Sequence, residues 1–331
     1  MVAEGYRASV VSLVGRTLDE RYRIVSFLGE GTMGAVYQAE QPDGPPVAIK
    51  VLHEELGDQP ELRERFEREA RALFGFDHPN ILTVYDYGIV DGQPYLVMEL
   101  LRGMTLDELV ETELPPPEVA IRIVEDILEG LQHAHEQGAA HRDLKTENIW
   151  VQPKEDGTYG VKILDFGLVK FTDTARWSDE RKLTMQGMVF GSPGYMPPEQ
   201  CIGSPADERS DVYSMGVVLY ELLTGEWPFM EENQVMMLQA HISKLPPSIE
   251  SGNPSLAIDP ALEALYQRAM SKDPASRFPN AGAMLAALRA IDKPAMPRSS
   301  KKTIGGIEPK WLAAGAGGLA LVALLLYLLA G

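Results

Sequence analysis

His141-Arg142-Asp143-Leu144-Lys145-Thr146-Glu147-Asn148 is the most informative stretch of this chain. After a strand-like segment it is followed by a second short motif, Asp165-Phe166-Gly167. The two motifs place one candidate base, Asp143, and two candidate magnesium ligands, Asn148 and Asp165, within a short window. This is the set of groups that phosphoryl transfer from a nucleotide requires.

A glycine-rich turn is predicted upstream of these motifs. Residues 29–34 read Gly-Glu-Gly-Thr-Met-Gly, a GxGxxG pattern that dinucleotide-binding loops share. A dinucleotide-binding loop runs from a strand into a helix, whereas residues 22–28 and 35–40 both have the character of strands. The glycines are therefore predicted to connect a hairpin whose backbone can approach phosphates closely.

Val47-Ala48-Ile49-Lys50 reads as a strand that ends in a lysine. A lysine at the end of an apolar strand needs a partner or an anion. In the following segment, 61–76, Glu69 shares a helical face with three apolar residues, Leu62, Phe66 and Leu73. A carboxylate in such a place is costly unless a cation meets it, so we predict an ion pair between Lys50 and Glu69.

These motifs, in this order, resemble those of the eukaryotic-type protein kinases, and most closely those of the membrane-anchored serine/threonine kinases of bacteria. The resemblance extends from about Tyr22 to about Ala290. It implies an α+β class and a bilobal protein kinase fold, with a small β-rich N-lobe that carries one key helix and a larger helical C-lobe. The expected segments are an N-terminal extension (1–20) and a kinase domain (21–291) made of an N-lobe (21–98), a hinge (99–103) and a C-lobe (104–291).

The resemblance also implies a role for each motif residue. Asp143 would accept or orient the proton of the attacking hydroxyl, and Lys145 would neutralise charge on the transferring phosphoryl group. Asn148 and Asp165 would hold Mg²⁺, or Mn²⁺ in its place. Met98 would be the gatekeeper beside adenine, with the backbone of Glu99 and Leu101 bonded to the adenine edge. The residues expected to bind ATP are Leu28, Gly29, Gly31, Gly34, Val36, Ala48, Lys50, Glu69, Met98, Glu99 and Leu101.

Two positions bear on the class of substrate under this resemblance. Lysine at 145 and serine at 192, in the substrate-binding loop, are typical of kinases that phosphorylate serine and threonine in proteins. The chain departs from the family pattern at Thr146, where proline is usual, and at Pro197-Pro198-Glu199, where Ala-Pro-Glu is usual. Neither change removes a charge or a ligand.

Four further residues have supporting roles by the same resemblance. Glu199 is expected to form a buried ion pair with Arg277, and Asp211 is expected to brace the backbone of the catalytic loop. Arg142 directly precedes Asp143, where an arginine without a partner would bind a phosphate on the loop between Asp165 and Glu199. Thr184 is the candidate phosphorylation site on that loop, modified by a second copy of the same protein.

Composition excludes one class of partner. The 331 residues include 48 acidic and 30 basic side chains, for a formal charge of -18, which repels phosphate backbones and argues against nucleic acid. The single cysteine, Cys201, cannot form an internal disulfide, so the folded part suits a reducing cytosol. The first twenty residues lack the pattern of a secretory signal.

The C-terminal segment has a different composition. Residues 292–310 are rich in proline, serine and glycine and predict a flexible juxtamembrane linker. No charged residue occurs from Trp311 to Gly331, so residues 311–330 are predicted to form a transmembrane helix rather than a buried core helix. Lysines precede this span and no basic residue follows it, which predicts one pass through the inner (cytoplasmic) membrane with the kinase domain in the cytoplasm. If Gly331 is the native end, the chain is tail-anchored.

Small residues in the predicted span offer a further partner. Ala313 with Gly317, and Ala314 with Gly318, form small-xxx-small pairs that permit close packing of two helices. A homodimer through the membrane helix is thus one expectation.

The leading interpretation is an active, ATP-dependent serine/threonine kinase of bacterial signal transduction, which phosphorylates its own activation loop. The alternative is a membrane-bound pseudokinase that serves as a scaffold. Pseudokinases typically lack the counterparts of Lys50, Asp143, Asn148 or Asp165, and this chain has all four. A dinucleotide-dependent oxidoreductase is disfavoured because no helix is predicted after the glycines.

Overall fold

The computed structural model describes residues 13–31, 34–53, 70, 73–166 and 192–291. The chain divides into two units, 1–291 and 292–331, and the second lies outside the described residues. The predicted linker and membrane helix therefore lie outside them, as do Glu69, Gly167 and Thr184. Among the residues that are described, no helix is long and apolar enough to cross a bilayer.

The N-lobe is built on an antiparallel sheet of six strands, in the order β1-β2-β3-β4-β6-β5. All side chains of β4, including that of Lys50, are buried. The strand is internal to the sheet, with β3 on one side and β6 on the other. The strands are β1 (Thr17–Leu18), β2 (Tyr22–Gly31), β3 (Gly34–Glu40), β4 (Val47–Leu52), β5 (Val84–Val90) and β6 (Gln93–Glu99).

The glycine-rich segment connects β2 to β3, and this confirms the predicted hairpin. Glu30 pairs with Ala35 and Gly31 with Gly34 at its end. A side chain on Gly34 would place its Cβ 2.1 Å from the carbonyl oxygen of Val51 in β4. Gly34 is therefore required for the close approach of β3 and β4. This packing role is additional to the predicted approach of the hairpin backbone to phosphates.

The C-lobe begins with a short strand and two helices. These are β7 (Met104–Thr105), α1 (Leu106–Thr112) and α2 (Pro117–Glu136). Thr105 and Glu108 form a reciprocal capping box at the start of α1. Gly138, just beyond α2, has a φ of 74°, the left-handed conformation that commonly ends a helix.

The strands β8 (Ile149–Pro153) and β9 (Tyr159–Ile163) pair with β7 in a second sheet, in the order β7-β8-β9. A catalytic motif lies at each end of the β8–β9 hairpin. Asn148 directly precedes β8, and Asp165 lies just after β9. The predicted hinge, 99–103, lies between the end of β6 and the start of β7.

The remaining helices surround one buried helix. They are α3 (Pro198–Cys201), α4 (Glu208–Thr224), α5 (Gln234–Ser243), α6 (Ile249–Gly252), α7 (Pro260–Ala269) and α8 (Ala281–Arg289). Every residue of α4 from Ser210 to Leu223 is buried. This helix begins at Glu208, where Asp207 caps it by accepting a hydrogen bond from the Arg209 amide.

Two hydrophobic clusters hold the lobes. The smaller one lies within the N-lobe sheet, around Tyr22, Tyr37 and Tyr95. The larger one extends from the sheet and Phe76 through α2 and α4 to α8. The catalytic residues are thus supported from below by a continuous apolar core.

Candidate active site

Asp211, on the buried helix α4, anchors the loop that contains residues 141–148, called the catalytic loop below. One carboxylate oxygen, Oδ2, accepts hydrogen bonds from the His141 amide at 2.7 Å and from His135 Nε2 at 2.8 Å. The other oxygen, Oδ1, accepts from the Arg142 amide at 2.7 Å. Hydrogen bonds to a charged acceptor are strong, so the start of the catalytic loop is fixed to the core, the contact expected for Asp211.

His141 links the two catalytic motifs. Its Nδ1 accepts from the Asp143 amide at 3.3 Å, so its Nε2 carries the proton and donates to the Leu164 carbonyl at 2.8 Å. Its ring also packs edge-on against Phe166, at a centroid distance of 4.8 Å. His141 therefore sets the position of Asp143 on one side and of Asp165 on the other.

Two residues next to the site have a left-handed backbone. Arg142 has a φ of 68° and Asp165 a φ of 53°. Such conformations are costly for residues other than glycine and persist where the surrounding contacts impose them. Here the contacts of Asp211 and His141 do so.

Asn148 lies beside both Asp143 and Asp165. Its Nδ2 donates to the Asp143 carbonyl at 2.8 Å and to Asp143 Oδ2 at 3.2 Å. Its backbone carbonyl accepts from the Leu164 amide at 2.8 Å, which brings Asp165 next to it. The structure therefore places Asp143, Asn148 and Asp165 together, although they are separated in sequence.

Lys50 reaches this group from strand β4. Its Nζ donates to both oxygens of Asp165, at 2.7 Å and 2.8 Å. Burial acts to raise the pKa of Asp165, but the Lys50 ammonium, as a charge and as a donor, outweighs it and lowers that pKa below its usual value. The predicted partner of Lys50, Glu69, lies outside the described residues, so that pair stays a prediction.

The donor set fits a hard divalent cation such as Mg²⁺. Asp165 provides a carboxylate whose pKa is lowered, so it is ionised at neutral pH. The side chain of Asn148 contacts Asp143 through its amide nitrogen, and these contacts leave aside the amide oxygen that a metal would use. Oxygen ligands from one or two side chains, completed by phosphate oxygens and water, are the usual environment of Mg²⁺.

The environment of Asp143 suits a proton acceptor. Burial raises the pKa of this carboxyl, while Lys145, His141 and the hydrogen bond from Asn148 act in the opposite direction. A base whose pKa is raised holds a proton more readily in the transition state.

Lys145 extends from the catalytic loop to the substrate-binding loop. Its Nζ donates to Ser192 Oγ at 2.8 Å and lies 3.4 Å from Glu147 Oε1. Both residues were predicted to bear on the class of substrate, and the structure brings them into direct contact.

A cleft of about 270 Å³ lies between the lobes and opens onto Lys50 and Asp165. Most of the residues expected to bind ATP line it: Leu28, Gly29, Val36, Ala48, Lys50, Met98, Glu99 and Leu101. Gly31 and Gly34 lie at the end of the hairpin outside this lining, and Glu69 lies outside the described residues.

The hinge residue Glu99 is held on its outer side. Its carboxylate accepts from the Thr83 amide at 2.8 Å and from Lys162 Nζ at 2.6 Å. Its own amide donates to the Thr83 carbonyl at 3.0 Å. The side chain and the amide of Glu99 are thus engaged by Thr83 and Lys162, and the expected contacts of adenine with the backbone of Glu99 and Leu101 stay a prediction.

Sequence reasoning missed four residues of the cleft: Leu82, Leu100, Trp150 and Leu164. A signal was present for two of them. Trp150 follows Asn148 by two positions on a strand, and Leu164 directly precedes Asp165, so both neighbour the motifs. The Trp150 indole donates to the Arg102 carbonyl at 2.9 Å and so fixes the hinge.

The predicted pair between Glu199 and Arg277 is present. Arg277 Nη1 and Nη2 each donate to one oxygen of Glu199 at 2.8 Å, in a bidentate arrangement. Both side chains are buried. Burial alone would raise the pKa of Glu199, but hydrogen bonds from Arg277 and Ser210, together with the Arg277 charge, lower it.

Arg142 has an unused donor. Its Nε is buried and has no hydrogen-bond partner among the described residues. The Arg142 carbonyl accepts a hydrogen bond from Gln200 Nε2 at 2.9 Å, which fixes the backbone of Arg142 to helix α3. A buried donor without a partner is costly, and an anion would satisfy it.

Comparison with known proteins agrees with this geometry. The chain is 42% identical over 283 residues to the serine/threonine-protein kinase pkn3 of Myxococcus xanthus, covering 85% of this chain and 51% of that protein. It is 35% identical over 306 residues to PknB of Mycobacterium leprae, covering 91% and 47% respectively. The chain thus spans about half the length of these curated relatives.

A solved structure has the same fold. The kinase domain of PknI from Mycobacterium tuberculosis superimposes with a TM-score of 0.64 at 26% identity, covering 83% of this chain and 98% of that one. Residues 22–287 match the family described as the protein kinase domain. This match covers most of the chain and includes every catalytic motif described above, so the chain belongs to the protein kinase domain family.

Proposed function

We propose that this chain is an ATP-dependent serine/threonine protein kinase of bacterial signalling. The observation that carries the proposal is the convergence of Lys50, Asp143, Asn148 and Asp165 at one end of the interlobe cleft. The names of its relatives, all serine/threonine protein kinases, support the class of substrate.

The residues of the site divide the work of the reaction. The apolar cleft binds the adenine ring, and Lys50 at its inner end offers an ammonium group to the phosphates. Asp143 accepts the proton of the attacking serine or threonine hydroxyl, in an orientation that Asn148 Nδ2 sets. Lys145 supplies a positive charge next to the substrate loop, where the transferring group becomes more negative.

A divalent metal bound by Asn148 and Asp165 would neutralise charge on the phosphate oxygens. The Asp165 carboxylate that would hold this metal also accepts from Lys50. Phosphoryl transfer needs little covalent participation by the protein, so the position and charge of these side chains supply most of the catalysis.

The decisive experiment compares the full-length protein with its Asp143→Asn variant. Each is incubated with Mg²⁺, labelled ATP and a protein rich in serine and threonine. We expect label on phosphoserine and phosphothreonine with the natural sequence, and a loss of at least about 100-fold in the variant. Asp156→Asn, at an exposed turn, is the matched control and should keep full activity. Equal label in the natural and Asp143→Asn proteins would refute the enzyme and favour a pseudokinase scaffold.

Regulation by phosphate is part of the proposal. The unused Arg142 Nε supports a phosphothreonine on the activation loop, for which Thr184 is the candidate. Protein treated with phosphatase should regain activity on incubation with ATP, and Thr184→Ala should not. Full recovery of activity by Thr184→Ala would rule out Thr184 as the activating phosphorylation site.

Anchoring in the inner membrane is proposed from the sequence of residues 311–330. Deletion of these residues should move the protein from the membrane fraction to the supernatant. A deletion of residues 1–12, which leaves β1 and the N-lobe core in place, serves as the control. Retention of the truncated protein in the membrane fraction would contradict the anchor.

A further inference from the structure

Thr146 stands where the family usually has proline, and the structure gives its hydroxyl two partners. Its Oγ1 lies 2.7 Å from the Tyr195 hydroxyl and 3.3 Å from Asp107 Oδ1. The side chain is completely buried. Proline has no hydroxyl, so with proline at position 146 both Tyr195 and Asp107 would lose this contact.

Tyr195 belongs to the substrate-binding loop, residues 192–195, and is itself fixed to the core. Its hydroxyl donates to Glu221 Oε2, on α4, at 2.6 Å. Trp227 Nε1 donates to the Tyr195 hydroxyl and to Glu221 Oε1, both at 3.1 Å. The Tyr195 carbonyl accepts from Ser214 Oγ at 2.9 Å. Thr146 therefore attaches the catalytic loop to a loop that α4 already holds.

A second contact crosses the same gap. Lys145, the neighbour of Thr146, donates to Ser192 Oγ, and the Tyr195 amide donates to the Ser192 carbonyl at 3.0 Å. Two consecutive residues of the catalytic loop thus contact the two ends of the substrate loop. Any shift of Thr146 relative to Tyr195 is passed to Lys145 and Ser192, which lie at the site of transfer.

We infer that Thr146 is a positioning residue whose hydroxyl, through Tyr195, holds the substrate loop in register with the catalytic loop and so determines how well a protein substrate is bound and phosphorylated. The inference rests on the proposed kinase function. It concerns the protein substrate alone, because no residue of this network lines the nucleotide cleft.

The test compares Thr146→Val, which keeps the shape and removes the hydroxyl, with Thr146→Ser, which keeps the hydroxyl. Steady-state kinetics of the full chain are measured with a protein substrate and with ATP. Loss of a buried hydrogen bond predicts that Thr146→Val raises the KM for the protein substrate about tenfold, with the KM for ATP within twofold of the natural protein. Thr146→Ser should lie within about threefold for both. Thr158→Val, remote from the site, is the control for removal of a threonine hydroxyl.

If the role of Thr146 were purely structural, Thr146→Val would lower stability without raising the KM for the protein substrate selectively. A normal KM for the protein substrate in Thr146→Val, or equal defects in Thr146→Val and Thr146→Ser, would overturn the inference. If Thr146→Val fails to fold, Tyr195→Phe removes the partner hydroxyl and decides in its place, with the same expected rise. A natural protein that phosphorylates no more than Asp143→Asn would instead refute the proposed function.

Discussion

Lys50 Nζ lies 2.7 Å and 2.8 Å from the two carboxylate oxygens of Asp165. The Lys50 side chain is 11% exposed and that of Asp165 is 29% exposed, so the pair faces the cleft from a largely buried position. The Lys50 ammonium therefore balances the charge of the Asp165 carboxylate inside the cleft. The Lys50 ammonium group and a divalent metal ion would compete for the same two carboxylate oxygens.

Asp165→Asn is expected to abolish the response of the enzyme to Mg²⁺. An amide keeps the shape of the carboxylate but lacks the charge that holds a divalent cation. We expect kcat to fall at least about 100-fold and to become insensitive to Mg²⁺ concentration. Titration of activity against Mg²⁺ measures both effects. An unchanged Mg²⁺ titration would exclude Asp165 as a ligand.

Glu199→Gln is expected to destabilise the C-lobe. Arg277 would keep its buried charge while losing its carboxylate partner, a loss that typically costs about 3 to 5 kcal/mol. The matched control is Glu129→Gln, which breaks the exposed pair with Arg289 and should cost less than about 1 kcal/mol. Urea unfolding of the two variants gives the comparison. Equal losses would show that the buried pair has no special role.

Glu221 is expected to make stability fall as pH rises. Burial raises its pKa from 4.5 to about 7, so the folded protein binds a proton that the unfolded chain releases between these values. The contribution is present below pH 4.5 and is lost as pH rises through 7, by about 3 kcal/mol.

Glu221→Gln removes this titration while keeping a side-chain oxygen that can accept from Tyr195. Its free energy of unfolding should therefore vary less between pH 5 and pH 8 than that of the natural protein, by roughly the same amount. Urea unfolding across this range provides the measurement. Parallel pH profiles for the two proteins would rule out Glu221 as the titrating group.

Gly34→Ala is expected to disturb the hairpin, whereas Gly29→Ala is not. A Cβ on Gly34 would meet the Val51 carbonyl at 2.1 Å, while one on Gly29 has no atom within 4 Å. Forcing the strands apart should cost about 1 to 3 kcal/mol, against less than about 0.5 kcal/mol for the open position. Thermal unfolding separates the two variants. Equal melting temperatures would mean that β3 and β4 separate without cost.

Sequence reasoning located the catalytic residues because each belongs to a short motif of fixed spacing. Asp143 and Asn148 lie in one loop, and strands β8 and β9 bring Asp165 back beside them. The pair between Glu199 and Arg277 was also accessible, because both residues belong to recognisable motifs.

The contacts of Lys50 show where such reasoning ends. The sequence indicates that a lysine at the end of a buried strand needs an anion, but the choice between carboxylates depends on how the lobes meet. The contacts of Thr146 are a similar case. Hydroxyls in separate loops have no periodicity that would reveal that Thr146 lies 2.7 Å from Tyr195.

The two indole rings of the site give the protein its own fluorophores. Trp150 lies at the hinge beside the nucleotide cleft, and Trp227 donates to Tyr195 in the substrate loop. Emission from Trp150 should respond when adenine enters, and emission from Trp227 when a peptide displaces the loop. The chain has four tryptophans, so replacing Trp177, Trp311 and either one of this pair with phenylalanine leaves a single indole. Occupancy of each half of the site can then be followed in real time without a chemical label.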